Sequence, residues 1–233
     1  EGLGRGFSQE VRDEAQSAAL ARDPRIDVGR RDMRDQRVIT IDPEGAKDHD
    51  DAIAVAPEGE GIRLWVHIAD VSSFVAPGGA IDREAERRGC SVYLPGTVDP
   101  MLPEVLSNDV CSLRPDEDRR ALTAEMVVMP DGSVTGEAFH RSLIRSDRRL
   151  TYPQVDAFLE GSAGLGDATM EADVRLSMEL ATRLRARRMR RGEEPREIVD
   201  RARRVGILHE HAKAVRAHFV GLVITHDHLD AQR

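Results

Sequence analysis

Residues Val38–Val55 read VITIDPEGAKDHDDAIAV. Val38-Ile39-Thr40-Ile41 is β-branched throughout and reads as a strand, and Ala52-Ile53-Ala54-Val55 reads as the next. Between them Pro43-Glu44-Gly45 is a turn former. Four aspartates, Asp42, Asp48, Asp50 and Asp51, fall within ten residues. At neutral pH such carboxylates repel one another unless a cation lies among them. Hard oxygen donors suit Mg²⁺, with Mn²⁺ as the alternative, and carboxylate-held Mg²⁺ is a common device for phosphate hydrolysis or transfer. A solvated acidic loop is the plain alternative. An EF-hand does not fit, because the Asp-x-Asp-Asp spacing lacks its Glu twelve positions along.

Outward from this loop the pattern stays rich in strands. Arg63–Ala69 and Ala121–Val128 read as strands, and Asp131-Gly132 signals a hairpin into Val134–Phe139. Short helices are expected at 8–22, with Ser8 as N-cap, and at Ile81–Arg88 after the Pro77-Gly78-Gly79 turn. Tyr152–Glu160 opens a further helix, and GSAGLGDAT is a loop. Met170–Arg191 is a long helix whose apolar side carries Val174, Leu176, Met178, Leu180 and Leu184, with Gly192 ending it. The elements alternate too irregularly for a βαβ repeat. The expected fold is therefore α+β: a mostly antiparallel, curved sheet flanked by helices, with a helical C-terminal part.

The 233 residues are 40% apolar and 33% charged, an ordinary globular balance. No apolar run approaches a membrane span, and no signal peptide opens the chain. Cys90 and Cys111 form no CxxC pair, so each is expected as a buried, reduced thiol in the cytoplasm. The net charge of −8 argues against a general nucleic-acid surface. It hides an asymmetry, however. Only Lys47 and Lys213 are lysines, while Arg183, Arg185, Arg187, Arg188, Arg190 and Arg191 crowd one stretch and Arg141, Arg145, Arg148 and Arg149 another. Arg groups suit bidentate phosphate contacts, and equally a solvated helix face.

GRRDMRDQRVITIDPEGAKDHDDAIAV at Gly29–Val55 resembles the opening of the catalytic domain of the ribonuclease II / ribonuclease R exoribonucleases. LWVHIADVSSFVAPGGAIDREAERRGCSVYLPG, PMLPEVLSNDVCSLRPDEDRRALTAEMVV and RSLIRSDRRLTYPQV follow in the same order as that family's motifs. The resemblance implies a Mg²⁺-dependent 3′→5′ exoribonuclease acting on single-stranded RNA. It implies Asp42, Asp48 and Asp51 as metal ligands, and Asp50 as the most sensitive carboxylate, near the metals and the attacking water. It also places Tyr93 and Tyr152 beside the 3′-terminal nucleotides, where a flat ring stacks on any base. By itself Tyr93, in VYLPG, reads as a half-buried packing residue. Trp65 and His67 share one strand face and read as core.

The resemblance divides the chain into a linker-like segment at 1–22, part of a catalytic domain at 23–191 and a divergent tail at 192–233. The family's later SPIRRYxDL-type segment, whose arginine stabilises charge at the cleaved phosphate, finds no counterpart. A truncated or frame-altered gene would explain this, and the chain alone is expected to be a weak nuclease at best. Two alternatives stand beside this reading. One is a non-catalytic RNA-binding or regulatory module. The other is a zinc hydrolase piece, suggested by THDHLD in the His-rich tail.

Overall fold

The computed structural model describes residues 6–21, 27–94 and 97–191. The THDHLD motif and the rest of the expected tail lie outside the described residues. A seven-stranded sheet forms the centre, in the order β1-β8-β7-β4-β3-β2-β9. Its strands are β1 (Arg31–Asp32), β2 (Ile39–Asp42), β3 (Asp51–Glu58), β4 (Gly61–Ala69), β7 (Asp118–Val128), β8 (Val134–Arg145) and β9 (Arg148–Thr151). The inner pairs β8-β7, β7-β4, β4-β3 and β3-β2 are antiparallel, whereas β1 joins β8 and β9 joins β2 in parallel. A separate hairpin pairs β5 (Val92–Leu94) with β6 (Thr97–Asp99). The mostly antiparallel sheet of the sequence reading is present.

Strand alternation sends successive side chains to opposite faces, and each face has its own core. Ile39, Ile41, Ile53, Leu64 and Val66 pack with Phe158, Val174 and Leu180 of helices α3 (Tyr152–Leu159) and α4 (Ala168–Arg190). Val38, Ala52, Ala54 and Ile144 pack on the other side with Val11 and Ala15 of α1 (Gln9–Leu20) and Ile81 of α2 (Ala80–Arg88). Small alanines on this second face leave room for helices to approach closely. The sheet is thus covered by helices on both sides.

Local chemistry sets the helix ends. Ser8 caps α1 as expected, its hydroxyl accepting from Val11 N. Thr151 and Gln154 form a reciprocal capping box at α3, with Pro153 in the first turn. The arginines of α4 tie it to the strand turns: Arg187 donates to Gly132 O at 3.0 Å and Arg190 to Asp131 O. Among the described residues no helix is long and apolar enough to cross a membrane.

Candidate active site

Asp42 is the last residue of β2 and Asp51 the first of β3, so the two ends of the acidic loop are fixed by the sheet. Both are buried, Asp42 at 1% exposure. Asp51 shares the alternation of Ile53, on the α3–α4 face. Asp50 is exposed and belongs to the opposite side. Its main-chain carbonyl accepts from Ala69 N at 2.8 Å, which continues the β3–β4 ladder by one residue. Its charge reaches Cys111 of the second core: burial first, then Asp50, push the Cys111 thiol up to about 12. Asp50 and Asp51 therefore point apart.

Two braces hold the loop between the strand ends. On one side Arg149 donates to Pro43 O at 2.7 Å and to Glu44 O at 2.6 Å. On the other, the buried Ser112 hydroxyl accepts from His49 N at 3.0 Å and donates to Lys47 O at 2.8 Å. The His49 side chain turns inward, with Nδ1 3.0 Å from Asp42 Oδ2. The β5–β6 hairpin lies beside the loop and is held by Arg88, which pairs with Asp99 at 2.7 Å. From this hairpin the Tyr93 hydroxyl donates to Asp48 Oδ2 at 2.8 Å, while Tyr93 stays 65% exposed.

The RNB domain matches residues 30–214 of the chain. The chain belongs to the RNB family. Ribonuclease R of Escherichia coli (strain K12) is 46% identical over 161 residues, which is 69% of this chain and 18% of that relative. Mycoplasma genitalium RNase R solved with ribose-methylated single-stranded RNA aligns at a TM-score of 0.76 and 32% identity. The same protein solved with double-stranded RNA aligns at the same TM-score of 0.76. These alignments cover 80% of this chain and 29% and 33% of the solved chains. The chain thus spans well under half the length of these relatives. The RNB match runs to residue 214, past the expected boundary at 191.

Within this RNB unit the four aspartates of the acidic loop have distinct surroundings. Among the described residues, no three His, Cys, Asp or Glu side chains converge on one point. The reasons are visible. Asp42 faces His49, Asp48 meets Tyr93, and Asp50 and Asp51 lie on opposite faces. The donor chemistry still fits a hard divalent cation. Four carboxylates border one loop, and burying a carboxylate such as Asp42 is costly without a compensating charge or donor.

Other expectations are redirected. Tyr152 is 6% exposed and packs in the α3–α4 core, so it presents no open ring face here. The arginine clusters are largely engaged within the protein: Arg145 pairs with Asp118, Arg148 donates to Leu165 O and Arg183 pairs with Glu179. Cys111 is buried as expected, but Cys90, following α2, is exposed. Trp65 is half-buried and His67 fully buried, on one face. Sequence reasoning passed over His49 and Ser112, and read Arg149 only as one of an arginine group suited to phosphate, whereas it braces the loop's own carbonyls. Of the two passed over, only His49 carried a signal, since it stands between two carboxylates in alternating positions.

Proposed function

We propose that this chain carries the carboxylate part of a Mg²⁺- or Mn²⁺-dependent 3′→5′ exoribonuclease site that releases 5′-nucleoside monophosphates from single-stranded RNA. The observation that carries the reading is the 2.8 Å contact of Tyr93 with Asp48, which brings an exposed aromatic ring to the edge of the acidic loop. The similarity to ribonuclease R, solved with RNA, supports the same substrate class.

In this reading Asp42, Asp48 and Asp51 hold the cation, and Asp50, the exposed carboxylate, orients the attacking water. A divalent cation bound there supplies charge neutralisation at the phosphoryl oxygens and a more acidic water. The oxygen of the water that Asp50 orients would join the terminal phosphorus, the bond to the preceding nucleotide's 3′ oxygen would break, and the proton given up by the water would end on that 3′ oxygen. Tyr93 offers a ring face to the terminal bases, a contact tolerant of sequence. The two cysteines, Cys90 and Cys111, are free, which fits a reducing compartment, and we place the protein in the cytoplasm.

The test uses the 233-residue chain with a 5′-labelled single-stranded oligoribonucleotide in Mg²⁺ or Mn²⁺. Slow stepwise shortening with monophosphate release is expected, abolished in Asp50→Asn while RNA binding persists. Turnover undiminished in Asp50→Asn overturns the carboxylate assignment. RNA binding without any hydrolysis favours the non-catalytic module.

A further inference from the structure

We propose that Val98 is a second nucleobase contact: with Tyr93 it forms one apolar platform on the β5–β6 hairpin, which takes the base of the 3′-terminal nucleotide of single-stranded RNA. The proposal rests on the reading of the acidic loop as part of an RNA site, and extends it to the other strand of the hairpin.

The hairpin has two unlike faces. In its register Val92 opposes Asp99, and Tyr93 opposes Val98. Directly opposed residues of an antiparallel pair point to the same side, with Cβ atoms about 4.5–5.5 Å apart. The first pair is half-buried and turned toward α2. There Arg88 reaches Asp99 at 2.7 Å and donates to Pro100 O at 3.0 Å. Met101 N donates to Ser91 Oγ at 2.9 Å and closes the base of the hairpin. The second pair lies on the other face and is open, with Tyr93 65% and Val98 49% exposed.

An exposed apolar side chain by itself is ordinary, but two that share a face make a patch. A patch of two side chains falls far short of the roughly 800 Å² per partner of a stable protein interface. It matches one flat group with an apolar face. Its position selects that group, because the Tyr93 hydroxyl donates to Asp48 Oδ2 at 2.8 Å and so fixes the patch at the border of the acidic loop. A base laid on the Tyr93 ring brings its edge over the Val98 methyls. Neither surface reads a hydrogen-bonding edge, so the contact tolerates any base.

Fluorescence anisotropy on the full chain, in EDTA to stop hydrolysis, compares two 5′-labelled single-stranded oligoribonucleotides. One ends in an ordinary 3′ nucleotide and the other in a 3′-terminal abasic residue. Val98→Ala removes both methyls, whereas Val98→Thr keeps the branched shape and replaces one methyl by a hydroxyl. We expect Val98→Ala to weaken binding of the intact oligonucleotide about 3–10-fold, from the apolar area lost, and to leave the abasic-ended one unchanged. Val98→Thr should lose less, in the same direction. Tyr93→Ala/Val98→Ala should lose less than the product of the two single effects, because both residues act on one base. Unchanged affinity in Val98→Ala, equal losses for both oligonucleotides, or a double variant at the full product each overturns the proposal. Thermal melts report folding, and a loss that follows a lowered melt in Val98→Ala but is absent from a fully folded Val98→Thr overturns it as well. An unmodified chain that binds neither oligonucleotide, in EDTA or in Mn²⁺, removes the RNA reading of the site and the proposal with it. Binding that depends on the terminal base but not on Val98 sinks the proposal alone.

Discussion

The hydroxyl of Tyr93 donates to Asp48 Oδ2 across 2.8 Å, joining the β5–β6 hairpin to the acidic loop 45 residues earlier in the chain. The ring itself remains 65% exposed. Hydroxyl and ring therefore have separable roles. Tyr93→Ala should weaken binding of a single-stranded oligoribonucleotide by about 1–3 kcal/mol if the ring stacks on a base. Tyr93→Phe should retain most of that affinity. Fluorescence anisotropy at fixed salt measures both, and equal affinity of the Ala variant and the unmodified chain returns Tyr93 to a packing role.

Cation binding should be visible without any substrate. A ligand bound only by the folded state raises the melting temperature in proportion to the logarithm of its concentration above Kd. Millimolar Mn²⁺ should therefore stabilise the chain, and Asp48→Asn/Asp51→Asn should remove that gain. Persistence of the full shift in the double variant would place the cation elsewhere.

Arg149 links β9 to the turn at Pro43 and Glu44 through two charge-assisted hydrogen bonds. Arg149→Met deletes both. Such bonds are worth roughly 1.5–3 kcal/mol each in net terms, but Arg149 is only half-buried, and a loss of about 1–2 kcal/mol is more realistic. Arg149→Lys should recover part of the loss, because a single guanidinium nitrogen, Nη2, makes both contacts and an ammonium also carries enough hydrogens for two carbonyls. Urea melts of the three proteins settle the order.

The parts of this fold that could be read from sequence are those with a clean period. The β2 and β3 runs, the intervening turn and the opposed directions of Asp50 and Asp51 all follow from alternation. Helix α4 follows from Val174, Leu180 and Leu184 lying on one side. The β5–β6 hairpin is hidden because each strand has three residues, too few to show a period, inside a proline-rich stretch. Its position depends on Arg88 reaching Asp99. Strand β9 is RRLT, charged and short, and its parallel partner lies over a hundred residues earlier. Tyr152 illustrates another limit. A tyrosine beginning a helix reads alike whether its ring meets a base or a core, and only the packed α3 shows that it meets Val155 and Phe158 in the core.

Gly132 adopts φ +79° in the β7–β8 turn, and a Cβ there would lie 2.5 Å from Arg183 O of α4. Both the backbone conformation and the close approach require glycine. Gly132→Ala should destabilise the fold by more than about 1 kcal/mol, by prising α4 from the turn. Gly45→Ala in the acidic loop meets no atom within 4 Å and serves as the control, with a near-unchanged melting temperature expected.

His67 sets a pH dependence distinct from any chemistry at the loop. It is fully buried on the sheet face opposite α3 and α4, with Nδ1 2.8 Å from Thr123 Oγ1 and no hydrogen-bond partner at Nε2. Burial, with a smaller contribution from His140, lowers its pKa from 6.5 to about 3. The folded state thus keeps the ring neutral while the unfolded chain protonates it. Its contribution to stability is complete above pH 6.5 and declines as pH falls from there toward 3. The slope is about 1.4 kcal/mol per pH unit, so roughly 2 kcal/mol is lost by pH 5. His140, also held below its usual value by burial, acts in the same direction. Carboxylates held low by arginines, such as the exposed Asp32 and the half-buried Glu84, each at about 2, add losses only at more acid pH. His67→Gln removes the titrating ring and keeps a polar group near Thr123. Its urea stability should start lower at pH 7.5 and fall less steeply between pH 6.5 and 5 than that of the unmodified chain. Parallel pH profiles for the two proteins would show that His67 titrates normally in the folded state.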